Sequence, residues 1–351
     1  MTQLQTSATQ TPAAQPSAAH DSDTALHTLA QIDARLAQLH EAKVAIQGVV
    51  LGQSGVVDQV LVALLAGGHV LVEGAPGMGK TLLVRTVAEV FGMALGRVQF
   101  TPNLMPADIT GTLALKPGEH GGNVLEFMPG PIFAQLLLAD EINRATPKTQ
   151  SALLEAMQEG TVTVAGVNHQ LPKPFFVLAT QNPIEQEGTY LLPEAQLDRF
   201  FFKVDVPFPD ADTLGRIVNQ TTGLETVQAR ACMGAEDLID AQRMVRALPV
   251  SPDVVAAVSR LIVSTQPTRP ESSSEVRRFV RFGVSPRGAQ TLVLAAKAQA
   301  MLSGRSHVGL SDVRAVLLPA LRHRCQLNFE GVAEGVDKDA LLERLLDAQA
   351  G

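Results

Sequence analysis

The sequence predicts an α/β fold, in which a parallel five-stranded sheet is sandwiched by helices and is followed by an all-α domain. Apolar runs of strand type recur between His69 and Val206, and segments of helical periodicity separate them. The run Leu136–Ala139 is apolar throughout, which is typical of a strand buried on both faces of a parallel sheet. After Pro207 helical patterns alternate with turns.

The individual elements follow from local patterns of apolar and turn-forming residues. The predicted strands are His69–Glu73, Gly96–Phe100, Leu136–Ala139, Phe175–Thr180 and Phe201–Val206. The predicted helices are Ala25–Gln47, Val56–Ala66, Leu82–Glu89, Thr149–Glu159, Thr213–Gln220, Ala235–Leu248, Ser251–Gln266, Ser285–Ser303, Ser311–Arg324 and Asp337–Asp347. Two hairpins are predicted, one pairing Ile109–Leu115 with Val124–Phe127 and one over Gly160–Gln170. Gly48 is the expected stop of the first helix.

Composition limits the classes of protein to which the chain can belong. Its 351 residues suffice for two domains, and a composition of 46% hydrophobic and 18% charged residues allows a large core. The net charge of −7 argues against a chain dedicated to nucleic acid or to an acidic membrane. No apolar run reaches the roughly 18 residues that cross a bilayer. Since no secretory signal is visible either, we expect no membrane span and a cytoplasmic location.

The first residues have the composition of a disordered tail. Residues 1–20 contain no Asp, Glu, Lys or Arg and are rich in Ala, Thr, Gln, Ser and Pro. Such a segment cannot bury enough apolar surface to become ordered. We therefore predict a disordered tail over residues 1–24, a core over residues 25–208 and a helical domain over residues 209–351, with the boundary at the Pro-rich break near Pro207.

A glycine-rich motif lies between the first predicted strand and the helix that follows it. It has the pattern G-x-x-x-x-G-K-T and consists of Gly74, Ala75, Pro76, Gly77, Met78, Gly79, Lys80 and Thr81. Glycines let backbone N–H groups point at phosphate oxygens, and the helix adds its positive dipole end. In this pattern Lys80 reaches the β- and γ-phosphates, and Thr81 holds Mg²⁺. A plain glycine-rich turn is the alternative, which the flanking strand and helix disfavour.

Two acidic residues follow the most apolar predicted strand. Asp140 and Glu141 emerge where open α/β sheets place their ligands. Asp140 is a candidate Mg²⁺ ligand, directly or through water, and Glu141 is a candidate general base for an attacking water. A solvated acidic turn is the alternative. The apolar residues Val49–Gln53, upstream of the glycine-rich motif, are candidates for an adenine pocket or for ordinary core.

Three further polar features leave two interpretations open on residue type alone. Asn182 follows a predicted strand and either contacts a γ-phosphate or forms a turn before Pro183. Arg199 either forms an ion pair with Asp198 or another carboxylate, which its residue type favours, or has a functional role. The run Thr268–Gly283 contains three arginines and is either a solvated basic loop or a site for phosphate or acid.

Taken together, these motifs resemble an AAA+ ATPase, and more narrowly the MoxR branch. The resemblance extends from about Ala25 to about Gln349. Its most specific stretches are Phe100–Gly111, Gly130–Phe133 with Leu136–Arg144, Ser151–Glu159 and Gln181–Tyr190. Similar chains commonly have Asp where this chain has Asn103 and Pro where it has Leu191; neither position contacts nucleotide.

The resemblance implies a role for each candidate residue. Residues 74–81 correspond to Walker A, and Asp140 with Glu141 to the end of Walker B. Asn182 corresponds to sensor 1, Arg199 to the arginine finger that acts on a neighbouring subunit's ATP, and Arg287 to sensor 2 on the lid domain. Residues 101–131 correspond to a helix-2 insert and residues 160–170 to a pre-sensor hairpin. ATP and Mg²⁺ are the implied ligands, and a homo-oligomer, a hexameric ring, is the implied assembly.

The resemblance also implies a function. MoxR-type chaperones remodel or mature partner proteins, often together with a von Willebrand factor A domain protein, and this chain contains no such domain. An alternative is a motor that acts on nucleic acid or transcription complexes, which the −7 charge and the scarcity of aromatic residues disfavour. A third possibility is a nucleotide-gated scaffold with little turnover, and the presence of Glu141 and Arg199 argues against it.

Overall fold

The computed structural model describes residues 29–117, 123–182, 189–223 and 227–349. The predicted disordered tail, residues 1–24, lies outside the described residues, as does the stretch 183–188 of the family-specific motif after Asn182. In the part of the chain that is described, no helix is long and apolar enough to cross a membrane.

A parallel five-stranded sheet forms the centre of the first half, as predicted. Together with three two-stranded sheets, it accounts for the strands of the described residues. In chain order, these strands are β1 (Val70–Glu73), β2 (Leu95–Gln99), β3 (Gly111–Pro117), β4 (Asn123–Pro129), β5 (Leu136–Asp140), β6 (Thr161–Val164), β7 (Val167–Gln170), β8 (Phe176–Gln181), β9 (Phe202–Asp205), β10 (Val280–Phe282) and β11 (Gln326–Leu327). The sheet has the order β2-β5-β8-β1-β9, and every neighbouring pair in it is parallel. The carboxyl ends of β1, β5 and β8 therefore meet at one edge.

Helices cover both faces of this sheet and make up most of the second half. They are α1 (Leu29–Val49), α2 (Ser54–Ala66), α3 (Lys80–Val90), α4 (Pro106–Thr110), α5 (Pro147–Glu159), α6 (Glu194–Leu197), α7 (Ala211–Thr222), α8 (Ala235–Ala247), α9 (Pro252–Ser264), α10 (Ser274–Phe279), α11 (Pro286–Leu302), α12 (Leu310–Leu321), α13 (Phe329–Ala333) and α14 (Lys338–Asp347). The predicted helices are present, with ends shifted by a few residues.

Alternating side chains of the strands divide the core into two layers. In β1, Val70 and Val72 point to one side and Leu71 to the other. The first side packs against α1, α2 and α3 and continues without interruption into α8, α11 and α12 of the second half. The other side packs against α5 through Leu153 and Leu154. The helical half therefore shares a continuous apolar core with the sheet half.

Two sequence expectations were wrong. Gly48 does not end α1, because the helix continues to Val49; a glycine inside a helix costs only about 1 kcal/mol relative to alanine. The run Thr268–Gly283 is not a solvated basic loop, since it contains α10 and β10. β10 pairs with β11, so the second half is helical apart from a small antiparallel sheet.

The two predicted hairpins lie next to each other. β3 pairs with β4, and β6 pairs with β7, both antiparallel. The ring of Phe127 on β4 stacks on the ring of His169 on β7, with centroids 3.9 Å apart. This aromatic pair joins the insert hairpin to the hairpin that precedes β8.

Candidate nucleotide site

The glycine-rich loop connects β1 to α3, which begins at Lys80. Gly77 and Gly79 have φ angles of 80° and 74°, in the left-handed region that favours glycine, so the chain turns sharply there. The Nζ of Lys80 donates hydrogen bonds to the carbonyl oxygens of Gly74 at 2.5 Å and of Ala75 at 3.0 Å. The lysine therefore lies along the loop that is predicted to bind phosphate.

Lys80 interacts electrostatically with the carboxylates Asp140 and Glu141 at the end of β5. Burial lowers the pKa of Lys80, while Asp140 and Glu141 raise it because their negative charges favour the ammonium form. Opposite charges thus face each other across the site, an arrangement suited to an anion held together with a cation.

The Asp140–Glu141 pair is held by a hydroxyl from the next strand. Glu141 has φ 58° and ψ 50°, a left-handed conformation that costs a non-glycine residue roughly 1–2 kcal/mol. Its backbone N–H donates to Thr180 Oγ1 at 2.9 Å, and the same hydroxyl donates to Asp140 Oδ1 at 2.7 Å. Thr180 on β8 therefore stabilises the turn and orients the aspartate.

Three side chains contact the other oxygens of this pair. Arg97 on β2 forms an ion pair with Asp140 Oδ2 at 2.9 Å. Gln99, on the same strand, donates to Glu141 Oε2 at 2.8 Å, and Arg144 lies 3.1 Å from that oxygen. Because both contacts to Glu141 involve Oε2, they fix the direction in which Oε1 points.

The glycine-rich loop and the strand ends enclose one polar cavity of about 210 Å³. Its lining consists of Pro76, Gly77, Met78, Gly79, Lys80, Thr81, Asp140, Glu141, Thr180 and Asn182. Of these residues, Thr81 is exposed to solvent, whereas Asn182 is only 7% exposed. The structure thus brings the predicted phosphate, metal, general-base and sensor positions together.

A second, more apolar cavity of about 260 Å³ shares the glycine-rich loop. Its lining includes the predicted adenine-pocket residues Val49, Val50, Leu51 and Gln53. The opposite wall comes from α7 through Leu214, Ile217, Gln220 and Thr221. Two hydrogen bonds link these parts, from Gln53 Nε2 to the Met78 carbonyl at 2.8 Å and from Gln220 Nε2 to the Val49 carbonyl at 3.2 Å.

Arg199 and Arg287 lie elsewhere. Neither is among the described residues that line the two cavities. The sequence favoured an ion pair of Arg199 with Asp198 or another carboxylate, and the predicted pairing with Asp198 was wrong. The Asp198 carboxylate instead contacts Arg324 at 2.7 Å and Arg287 at 3.9 Å. Among the described residues, no carboxylate lies within ion-pair distance of the half-buried Arg199 side chain. Arg199 thus follows Asp198 in the sequence, Arg287 approaches the Asp198 carboxylate, and neither lines the two cavities at the chain's own loop.

The comparisons with known proteins agree with this geometry. The profile of the ATPase family associated with various cellular activities (AAA) matches residues 69–202, and an AAA lid domain profile matches residues 272–345. The Chaperone MoxR1 of Mycobacterium tuberculosis is 40% identical over 312 residues, which are 89% of this chain and 82% of that protein. The chain belongs to the MoxR family of AAA+ ATPases.

Another relative and a solved structure match over similar lengths. The Protein MoxR of Paracoccus denitrificans is 34% identical over 330 residues, 89% of this chain and 94% of that protein. A crystal structure of a candidate ATPase from Cytophaga hutchinsonii superposes with a TM-score of 0.84 at 35% identity and covers 90% of this chain and 95% of that one. The fold of the MoxR-family chain is therefore that of an AAA domain followed by an AAA lid.

The residues of this MoxR-family site fit a nucleotide with Mg²⁺. A Cβ placed on Gly77 would meet no other atom within 4 Å, so open space remains beside the loop. The hydroxyl of Thr81 and the carboxylate of Asp140 line the same cavity and are the hard oxygen ligands that Mg²⁺ prefers. Lys80 supplies a positive charge for phosphate oxygens at the same place.

Several residues of the MoxR-family site were missed by sequence reasoning. Thr180 could have been found, because it ends a predicted strand whose carboxyl end lies at the ligand edge. Arg97 and Gln99 could not, because their strand becomes a neighbour of β5 only through the sheet order. The α7 wall of the apolar cavity was missed because α7 lies beyond the predicted domain boundary at residue 208.

Proposed function

We propose that this chain hydrolyses ATP with Mg²⁺ in a ring of identical subunits and uses the reaction to remodel or mature partner proteins. One observation carries the proposal: Lys80, Thr81 and the Asp140–Glu141 pair line a single cavity with Asn182, whereas Arg199 lies outside it. A complete hydrolytic site of the AAA+ type then needs an arginine from a second subunit.

The glycine-rich loop, residues 74–81, binds the phosphates in this proposal. Its backbone N–H groups and the start of α3 face the anion, and Lys80 exchanges its carbonyl partners for β- and γ-phosphate oxygens. Thr81 and Asp140 hold Mg²⁺, which when bound supplies positive charge to those oxygens. The apolar cavity between Val49–Gln53 and α7 receives the adenine ring.

Glu141 acts as the general base. Its Oε2 is held by Gln99 and Arg144, so Oε1 is the oxygen that accepts a proton from the attacking water. Asn182 orients that water or contacts the γ-phosphate from the end of β8. A positioned base of this kind contributes typically 10²–10⁴-fold to the rate.

Arg199 serves the site of the neighbouring subunit in this proposal, and Arg287 acts as sensor 2 on the lid domain. Arg199 does not line the cavity at the chain's own loop, and no described carboxylate pairs with it, so its charge is available to a nucleotide on another subunit. A finger arginine in trans contributes about 10³–10⁵-fold to the rate. Sites of this kind form in a closed ring, for which we propose a hexamer.

The partner is a protein, for which we propose one with a von Willebrand factor A domain. Support comes from the family and from the name of the mycobacterial relative, which is a chaperone. A role on nucleic acid is disfavoured by the −7 charge. In the basic run Thr268–Gly283, Arg278 pairs with Glu330 at 2.5 Å and with Glu334 at 2.7 Å within the lid, which favours a structural role for this arginine over binding of nucleic acid. A salt titration of DNA binding tests this alternative.

Steady-state ATP hydrolysis over a wide protein concentration range tests the proposal. We expect the specific activity to rise with concentration, and both Lys80→Ala and Arg199→Ala to be inactive. A mixture of the two variants should regain activity, because each supplies the half of the site that the other lacks. A flat concentration dependence with a fully active Arg199→Ala would contradict the shared site.

A further inference from the structure

One guanidinium from the second half of the chain holds the backbone on both sides of Arg199. Arg324 follows α12, and its side chain is only 2% exposed. Its Nε donates to Asp198 Oδ1 at 2.7 Å, and its Nη2 donates to the carbonyl oxygens of Asp198 at 3.2 Å and of Phe200 at 2.7 Å. Its Nη1 donates to the carbonyl oxygen of Phe201 at 3.1 Å.

A second side chain of the same segment supports this contact. His323 is buried, and its Nε2 donates to the Phe200 carbonyl at 3.2 Å. Burial, with a smaller contribution from the Arg324 charge, places the pKa of His323 well below its usual value, so the ring is neutral near pH 7. Residues 198, 200 and 201 are thus all held from one side, and Arg199 is the residue between them.

We propose that Arg324 is a positioning residue for the Arg199 finger and so links the lid to the ATP site of the neighbouring subunit. This proposal rests on the proposed shared-site function. No described carboxylate pairs with Arg199, so the direction of its side chain depends on its backbone. A displacement of about 1 Å in such a group can cost about 10²-fold in rate.

An arginine is required at this position for a geometric reason. The planar guanidinium carries five donors in a fixed fork, and here they reach a carboxylate and three carbonyl oxygens of residues 198–201. A lysine has the same charge but a compact head with three donors, which cannot span these acceptors. Arg324→Lys therefore retains the buried charge beside Asp198 and releases part of the backbone.

The lid contacts around Arg324 indicate that the finger follows the lid. Arg322, two residues earlier, forms ion pairs with Asp205 of the sheet half and with Asp339 of α14. Arg287 of α11 approaches Asp198 from the same half. A shift of these helices relative to the sheet is expected to move the Arg324 guanidinium, and with it the backbone that carries Arg199.

The test uses the full-length chain with Arg324→Lys, and Arg314→Lys on α12 as the control, since Arg314 does not contact residues 198–201 in the contacts described above. We expect Arg324→Lys to lower kcat at least 10-fold with an unchanged KM for ATP, since its own nucleotide cavity is intact. Arg314→Lys should stay within about 2-fold of wild type, because Arg314 pairs with Asp347, both side chains are about half exposed, and ion pairs of this kind contribute little. A 1:1 mixture of Arg324→Lys with Lys80→Ala should recover about a quarter of wild-type activity, counting randomly mixed, independent sites.

The recovery distinguishes a finger defect from a general structural one. Lys80→Ala subunits have an intact Arg199 and supply it to the intact loop of an Arg324→Lys neighbour. If Arg324→Lys does not fold, Asp198→Asn weakens the same contact without a change in shape, and the same mixture is measured. Wild-type kcat in the folded Arg324→Lys variant would overturn the proposal, and so would a loss that the mixture does not restore.

The mixtures also distinguish failure of the Arg324 proposal from failure of the proposed shared site. If the mixture of Arg199→Ala with Lys80→Ala recovers activity and that of Arg324→Lys does not, the shared site holds and the role of Arg324 is wrong. If the Arg199→Ala mixture itself fails to recover activity, the shared site is wrong and the proposal for Arg324 is overturned with it.

Discussion

Thr180 and Asp140, on the neighbouring strands β8 and β5, are joined by a hydrogen bond of 2.7 Å from the threonine hydroxyl to the aspartate Oδ1. The same hydroxyl accepts the backbone N–H of Glu141 at 2.9 Å. A single buried oxygen therefore fixes the proposed metal ligand and the backbone of the proposed general base. Thr180 is therefore part of the geometry of the proposed site, although it was not among the residues predicted from the sequence.

Two substitutions at Thr180 should distinguish the contribution of its hydroxyl group from that of its side-chain shape. We expect Thr180→Val to lower kcat at least 10-fold and to lower the free energy of unfolding by about 1–3 kcal/mol, because two partly buried polar groups lose their partner. Thr180→Ser retains the hydroxyl and should keep most of the activity. ATP turnover and urea unfolding measure both effects. Equal kcat values for the Val and Ser variants would show that the hydrogen bonds are not needed.

Glu141→Gln should separate binding from hydrolysis. The substitution keeps the shape of the side chain and an oxygen for the Gln99 contact, but it removes the basic carboxylate. We expect kcat to fall by about 10²–10⁴-fold, the contribution of a positioned base, with the dissociation constant for ATP changed less than about 3-fold. Single-turnover hydrolysis and equilibrium binding of ATP measure these quantities. A variant with near wild-type turnover would assign the base to another residue.

Local patterns in the sequence predicted the framework of the site. The strand end at Glu73 was predicted, and the end of β5 at Asp140 was predicted to within one residue, because buried apolar runs end where polar residues begin. The glycine-rich loop was predicted because its conformation needs glycine at positions 77 and 79, where φ is positive. These features depend on residues that are close together in the sequence.

Contacts between distant residues could not be predicted in the same way. Asp198 pairs with Arg324, which is 126 residues away, and not with the adjacent Arg199. Gln99 reaches Glu141 because β2 lies beside β5, a fact of sheet order that composition does not reveal. Partner choice in both cases depends on the tertiary fold, whereas spacing along the chain gives only local candidates.

The apolar cavity can be tested through its α7 wall. Ile217 lines the cavity, whereas Val218 on the same helix does not and is 48% exposed. We expect Ile217→Asp to raise the KM for ATP at least 10-fold with kcat retained at saturation, because a charge is placed against the adenine ring. Val218→Asp is the matched control and should leave KM within about 2-fold. Equal KM values for both variants would show that adenine does not bind in this cavity.

Two histidines, the half-buried His69 and the buried His323, predict a dependence of stability on pH. His69 donates from Nε2 to the Met157 carbonyl at 3.0 Å and accepts at Nδ1 from the Val177 N–H at 3.1 Å. Burial lowers its pKa to about 4, and the bond to Met157 offsets this only in part. The unfolded chain therefore binds a proton near pH 6.5 that the folded chain does not, and buried, neutral His323 acts in the same direction.

The free energy of unfolding should therefore decrease as pH falls from about 6.5 towards 4, by up to about 1.4 kcal/mol per pH unit for His69. Above pH 6.5 both states leave this histidine neutral, so its contribution to the slope vanishes. His69→Gln removes the titrating ring and should reduce the slope in this window by that amount, whereas the exposed His307→Gln should leave it unchanged. Urea unfolding at several pH values measures the slopes. Equal slopes for His69→Gln and the wild type would mean that the folded chain can protonate His69.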